Sequence, residues 1–204
     1  MPRPASFPAD DILDATRELI AQAGPAATTM TAVAQHLGAP SGSLYYRFAG
    51  RDYLVATLWL RCVRRFLDGY VPALGLPSPL DAALSAARFV VEWSRAHVDD
   101  ARVLLLYHSD DLLSDTWPSE LREENLRLQD RLNDAIGRLE AAFGATDGAG
   151  SERVRFAVVD VPYAAVRRSL QAGLAPPSTI DELVVETATH VLEPLIRSTR
   201  EESP

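Results

Sequence analysis

The chain has 204 residues, 47% of them hydrophobic and 24% charged, with a formal net charge of −8. That length buries a core without staples, and that composition excludes disordered and fibrous classes. One cysteine, Cys62, excludes an internal disulfide framework and fits a reducing compartment. The opening MPRPASFPADD lacks the apolar run of an export signal, and no stretch approaches the ~18 apolar residues of a membrane span. The expectation is a cytoplasmic protein away from membranes.

The first helix is expected over Ala9 to Ala23, with Ile12, Thr16, Leu19, Ile20 and Ala23 inward. Asp10 and Asp11 fall in its first turn, where the helix dipole favours acids. Gly24 and Pro25 end it.

The stretch Thr28 to Arg51, TTMTAVAQHLGAPSGSLYYRFAGR, carries the most information. Met30, Val33, Ala34 and Leu37 make one apolar stripe on a short helix. Thr29 is placed to cap it, and Gly38 to stop it in the left-handed conformation. Pro40 opens a second short helix, where its missing N–H costs nothing. On that helix Leu44 and Phe48 face one way, while Ser41, Ser43, Tyr45, Tyr46 and Arg47 point elsewhere. A helix, a Gly-containing turn and a second helix with a polar, aromatic and basic outer face read as a helix-turn-helix.

Charge supports this reading. Residues 1–55 carry four arginines against five acids, whereas Thr28 to Arg51 holds two arginines and no acid. An acidic body repels phosphate and turns the basic element toward it. So few cations predict a modest salt dependence unless two subunits act together.

A fourth helix opens near Arg51 and runs to Gly69 or Tyr70. It is apolar along Leu54, Leu58, Cys62 and Phe66 and again along Val55, Trp59, Val63 and Leu67, and it reads as the link between two parts. Val71 to Pro79 reads as a loop. Helices follow over Leu80 to His97, Ala101 to Leu113 and Pro118 to Phe143. A loop spans Gly144 to Gly150. Ser151 caps the next helix, which runs to Ala172 with a kink at Pro162. Ser178 and Asp181 read as a capping box for the last helix, which runs to Ser198. No strand-like alternation occurs. The expected fold is all-α with about nine helices: a three-helix DNA-binding unit at 1–50 and a helical bundle at 51–204.

The residues Gly38, Gly42, Ser43, Leu44, Tyr45, Tyr46, Arg47, Phe48 and Arg51 resemble the pattern of the tetracycline-repressor (TetR) family of transcriptional regulators. The similarity is specific over residues 8–55. Pro40 and Ser41 depart from it, since the family often has Ser and Lys there, and the missing Lys removes one DNA contact. The resemblance implies a double-stranded DNA operator, with Thr29, Thr31, Ser41, Gly42, Ser43, Tyr45, Tyr46, Arg47 and Arg51 as the contact set. Hydroxyls suit phosphates, Gly42 allows close backbone approach, Arg47 suits guanine or phosphate, and Arg51 would clamp the backbone.

The last two helices have more apolar surface than one buried face requires. Two readings fit: a core pair, or a homodimer joined as a four-helix bundle. The resemblance implies the second, with Val158, Val161, Ala165, Leu183, Ala188, Val191 and Leu195 at the interface. It also implies a small-molecule effector in the bundle. Trp59, Cys62, Phe66, Phe89, Trp93, Tyr107, Trp117 and Tyr163 are the aromatic and apolar candidates to line its site, with His108, Asp160 and Arg167 as polar ones. Aromatic residues at helical spacing also read as plain core.

Other classes find little support. The four histidines lack metal-ligand spacing, and no catalytic or phosphate-loop motif occurs. No cofactor, metal or catalytic residue is expected. Adjacent acids such as Asp110 and Asp111 splay apart on a helix. A helical dimeric interaction module that binds no DNA, and less so a small helical enzyme, remain the competing readings. The resemblance makes a repressor released by its effector the default.

Overall fold

In the computed structural model, which describes residues 7–107, 118–145 and 147–201, every regular element is helical. The helices are α1 (Ala9–Ala23), α2 (Met30–Leu37), α3 (Ser41–Tyr45), α4 (Arg51–Leu74), α5 (Pro79–Ala96), α6 (Val98–Leu106) and α7 (Ser119–Ala142). After these come α8 (Gly148–Arg155), a π-helical turn (Phe156–Asp160), α9 (Val161–Gln171) and α10 (Ile180–Glu201). With the unbroken run 148–171 taken as one helix, the described residues hold nine. This is the all-α fold expected from the absence of alternation.

The chain divides into two compact units, with boundaries within α4, at the start of α6 and within α7. One comprises Met1–Val63 with Asp99–Asn125, the other Arg64–Val98 with Leu126–Pro204.

In the first unit, Ile12, Ile20, Val33, Leu44, Leu54 and Leu58 form the buried core. Each such side chain contributes roughly 1.5–3 kcal/mol by leaving water. Ala23, expected inward, is exposed, because Gly24 (φ 77°) turns the chain away at that level. Leu13 and Ala15 are buried instead. Asp10 and Asp14 of α1 reach the almost buried guanidinium of Arg61 on α4, at 3.4 and 2.8 Å. Arg17 reaches the buried carboxylate of Asp100 on α6 at 3.4 Å. Arg102 of α6 donates to the Ala21 carbonyl. These cations and acids close α1, α4 and α6 on one another. Buried charges are tolerated only when paired in this way.

In the second unit, α5 packs against α9 and α10. Ala82, Ala83, Ala86 and Ala87 of α5 are all buried, and small side chains let helices approach. Gly69 of α4 meets Phe89 of α5 so closely that a Cβ there would lie 2.4 Å from the ring. Arg95 ties α5 to the loop before α10: Nε donates to the Pro176 carbonyl at 2.8 Å, and the guanidinium pairs with Asp181.

Four local expectations are corrected. First, α4 continues through Leu74, because Pro72 leaves only one carbonyl without its helical partner and Gly75 ends the helix by donating to the Pro72 carbonyl at 3.1 Å. Second, the cap before α8 is Asp147, whose carboxylate accepts from Gly150 N at 2.7 Å, and not Ser151, which is already inside the helix. Third, Ser178 and Asp181 form no side-chain capping box, because the Asp181 carboxylate is taken by Arg95. Fourth, the kink at Pro162 is a π-helical turn upstream of it, closed by Val161 N–H on the Phe156 carbonyl. The α6 helix ends at Leu106, and residues 108–113 of the expected helix lie outside the described residues.

Candidate nucleic-acid interface

The site is built on α2, the turn after it and α3. Thr29 Oγ1 accepts from Ala32 N at 3.1 Å and caps α2. Gly38 is left-handed (φ 65°), with Gly38 N donating to Gln35 O and Ala39 N to Ala34 O at 3.1 and 2.8 Å. That pair of bonds is a Schellman stop, and it fixes the angle at which the chain leaves α2. The next helix is short and held from beneath: Leu44 and Phe48 are buried, and the Phe48 ring lies 6.0 Å from that of Tyr53 on α4. Anchoring α3 by its inner residues forces the outer ones into solvent.

Tyr45 is 56% exposed and Tyr46 93% exposed, so neither ring belongs to the core of the unit. Arg47, Gly42, Thr31 and Thr29 are exposed beside them. Around Gly42 nothing lies within 4 Å of where a Cβ would stand, so another backbone can approach there. Two phenols, a guanidinium and short hydroxyls on one protruding face can donate to phosphates and reach base edges.

Two members of the expected contact set stand differently, and a third is not described. Arg51 does not project as a clamp. Its Nε donates to Thr28 O at 2.6 Å, another nitrogen donates to Pro25 O at 2.9 Å, and the third lies 3.0 Å from Asp52. It is a strut under the turn that precedes Thr29, because the α4 N-terminus lies against the carbonyls of residues 25–28. Ser43 spends its hydroxyl proton on the Pro40 carbonyl at 2.7 Å. The Ser41 side chain lies outside the described residues. The structure adds one contact that spacing did not reveal: His36 of α2 meets Glu18 of α1 at 2.8 Å, bracing the back of the reading pair.

The residues expected around an effector are described unit by unit. In the first unit, Trp59 Nε1 donates to the Tyr107 carbonyl at 3.1 Å, and Cys62 is fully buried. Burial pushes the Tyr107 hydroxyl above its ordinary pKa, against the pull of nearby Arg51. In the second unit, Phe66, Phe89 and Trp93 pack with Tyr70 and His97, with Phe66 centred 5.7 Å from Phe89 and 5.1 Å from Trp93. Tyr163 is corrected: it faces solvent. So does Asp160, while Arg167 is exposed on α9. Trp117 and His108 lie outside the described residues.

The expected dimer residues also divide. Val158 and Ala188 are fully buried within the single chain and belong to its own core. Val161, Ala165, Val191 and Leu195 are half-buried, and Leu183 is 58% exposed. Phe156, Val159 and Tyr163 are the large exposed side chains of the run 148–171. The first two were missed because the π turn shifts the phase of the helix by one residue, which a regular period does not anticipate.

Residues 12–58 match the family of bacterial regulatory proteins described as the tetR family. A comparison with curated proteins finds no match. Among solved structures, a tetR-family regulatory protein from Rhodococcus is 22% identical with a TM-score of 0.69, covering 90% of this chain and 95% of that one. A second, TetR-like regulator from Rhodococcus is 18% identical with a TM-score of 0.68, covering 95% and 98%. The TetR-family regulator PfmR from Thermus thermophilus is 16% identical with a TM-score of 0.65, covering 89% and 97%.

Proposed function

We propose that the chain is a TetR-family transcriptional regulator that represses transcription as a homodimer on a palindromic operator, a reading supported by the match of residues 12–58 to that family and by the likeness of its fold to TetR-family structures. The observation that carries this reading is the outward set of Tyr45, Tyr46 and Arg47 at the end of a short helix and in the turn after it, anchored by Leu44 and Phe48. No packing role within the chain accounts for a tyrosine as exposed as Tyr46. One such face offers few cations, so two copies are needed for useful affinity, reading successive major grooves ~34–36 Å apart.

The exposed apolar side chains Phe156, Val159, Tyr163 and Leu183 support the pairing of two chains through α8, α9 and α10. Such a set is costly in water and is normally covered. Control by a small molecule follows the same family reading, with Phe66, Phe89 and Trp93 as the apolar surface it would meet. The effector would favour one arrangement of the bundle and so change the separation of the two readers.

The test is a selection of bound sites from random duplex DNA, followed by retardation of the selected duplex. Inverted repeats bound by the natural protein, and lost on joint Tyr45→Ala and Arg47→Ala substitution, are expected. If both proteins treat that DNA alike, the competing reading of a helical interaction module gains. A ligand screen on the bound complex tests the effector: loss of operator affinity with at least one compound is expected.

A further inference from the structure

The solvent-facing sides of α9 and α10 carry opposite charge. On α9, Arg167 and Arg168 follow the exposed Tyr163 by about one turn. On α10, Glu182 and Glu186 flank the exposed Leu183. All four are exposed, and none forms an ion pair with another described residue. Some other charges of the same unit are used locally: Arg131 pairs with Asp68, Arg155 with Glu140 and Arg197 with Glu193. Two unpaired cations and two unpaired anions therefore border the apolar side chains already noted.

We propose that this is a self-recognition code: Arg167 and Arg168 of one copy face Glu182 and Glu186 of a second copy. The inference rests on the dimer reading above. A two-fold axis running along the helices sets α9 of one chain beside α10 of the other. It also keeps the end of α9 level with the start of α10. In that arrangement both crossed contacts are attractive. Setting α9 against α9, or α10 against α10, would oppose like charges. Burial of Phe156, Val159, Tyr163 and Leu183 supplies affinity without choosing a partner, because apolar contact is non-directional. The charges fix register and reject related chains whose pattern differs.

The experiment uses the full chain and three variants: Arg167→Glu with Arg168→Glu, Glu182→Arg with Glu186→Arg, and all four changes together. Mass is measured by light scattering after size exclusion, and mixing by native mass spectrometry with one chain tagged. The natural protein is expected to be a dimer. Each two-residue variant is expected to dimerise more weakly, on the order of tenfold or more. Mixed together, the two weakened variants should form a heterodimer, since each then meets opposite charge. That rescue also shows that both are folded. The four-residue variant should pair with itself and not with the natural chain. If the two-residue variants dimerise as tightly as the natural protein, or if all chains mix freely, the code is overturned and the dimer stands. A monomeric natural protein overturns the dimer reading itself.

Discussion

The Tyr70 hydroxyl donates to the Val158 carbonyl at 2.7 Å, in a buried position. That carbonyl lies four residues before Pro162, which has no N–H to offer it. The chain therefore loses a helical bond at Pro162, opens a π turn over Phe156–Asp160, and recovers the acceptor through a side chain from α4. Tyr70→Phe keeps the ring but removes the donor. It should cost about 1–3 kcal/mol, the range for leaving a buried acceptor without a partner, measured by urea denaturation. Adding Pro162→Ala restores an N–H on the helix, so the double variant should lose less than the sum of the singles.

The same tyrosine sets a pH limit. Burial pushes its hydroxyl well above the ordinary value of 10.0. The protonated form is the one that folds, so its contribution is fully present below that value. As the pH rises further, the unfolded chain gains the free energy of ionisation first and stability falls. The decline above a pH of about 10 should be smaller in Tyr70→Phe than in the natural protein, read from thermal midpoints across pH.

Arg51 and Tyr46 separate support from contact. Arg51→Ala removes the donors to Thr28 and Pro25, so both operator affinity and stability should fall, the latter by about 1–3 kcal/mol. Arg51→Lys should rescue little, because an ammonium lacks the planar fork. Tyr46→Ala touches no core and should change stability by less than about 0.5 kcal/mol while weakening DNA binding. Arg47→Ala should lower the slope of log affinity against log salt by about one for each subunit bound. Retardation at several salt concentrations, beside chemical denaturation, checks all four.

Gly69 and Phe89 should behave as a coupled pair. A methyl group at Gly69 would enter the Phe89 ring at 2.4 Å, so Gly69→Ala overpacks the α4–α5 contact. A loss of about 1–3 kcal/mol is expected despite the better helix propensity of alanine. Phe89→Leu should relieve part of it, and a double-mutant cycle measures how much.

Arg95 should matter more than a surface ion pair. It joins α5 to Pro176, Pro177 and Asp181 with several bonds at once. Arg95→Ala should cost about 1–3 kcal/mol in chemical denaturation, and Arg95→Lys most of that.

Much of this was readable in the chain itself. Bonds of short reach fixed the bounds of α1, the Thr29 cap, the Gly38 stop and the outward face of α3. Each depends on residues within five positions of one another. Asp181 shows where such reading ends. Its spacing from Ser178 matched a cap, yet Arg95 from 86 positions away took the carboxylate. Arg51 likewise matched a DNA contact by position and was claimed by carbonyls of a turn 23 and 26 residues earlier.

The sequence alone determined an all-helical chain with a helix-turn-helix near its start, because helical period, capping and glycine stops are local and additive. Only the tertiary structure decided which apolar residues are core and which stay exposed. Val158 and Val159 are neighbours with the same side chain, one buried and the other exposed. The difference arises from the π turn that Pro162 imposes and Tyr70 satisfies, a phase shift set by packing across the fold.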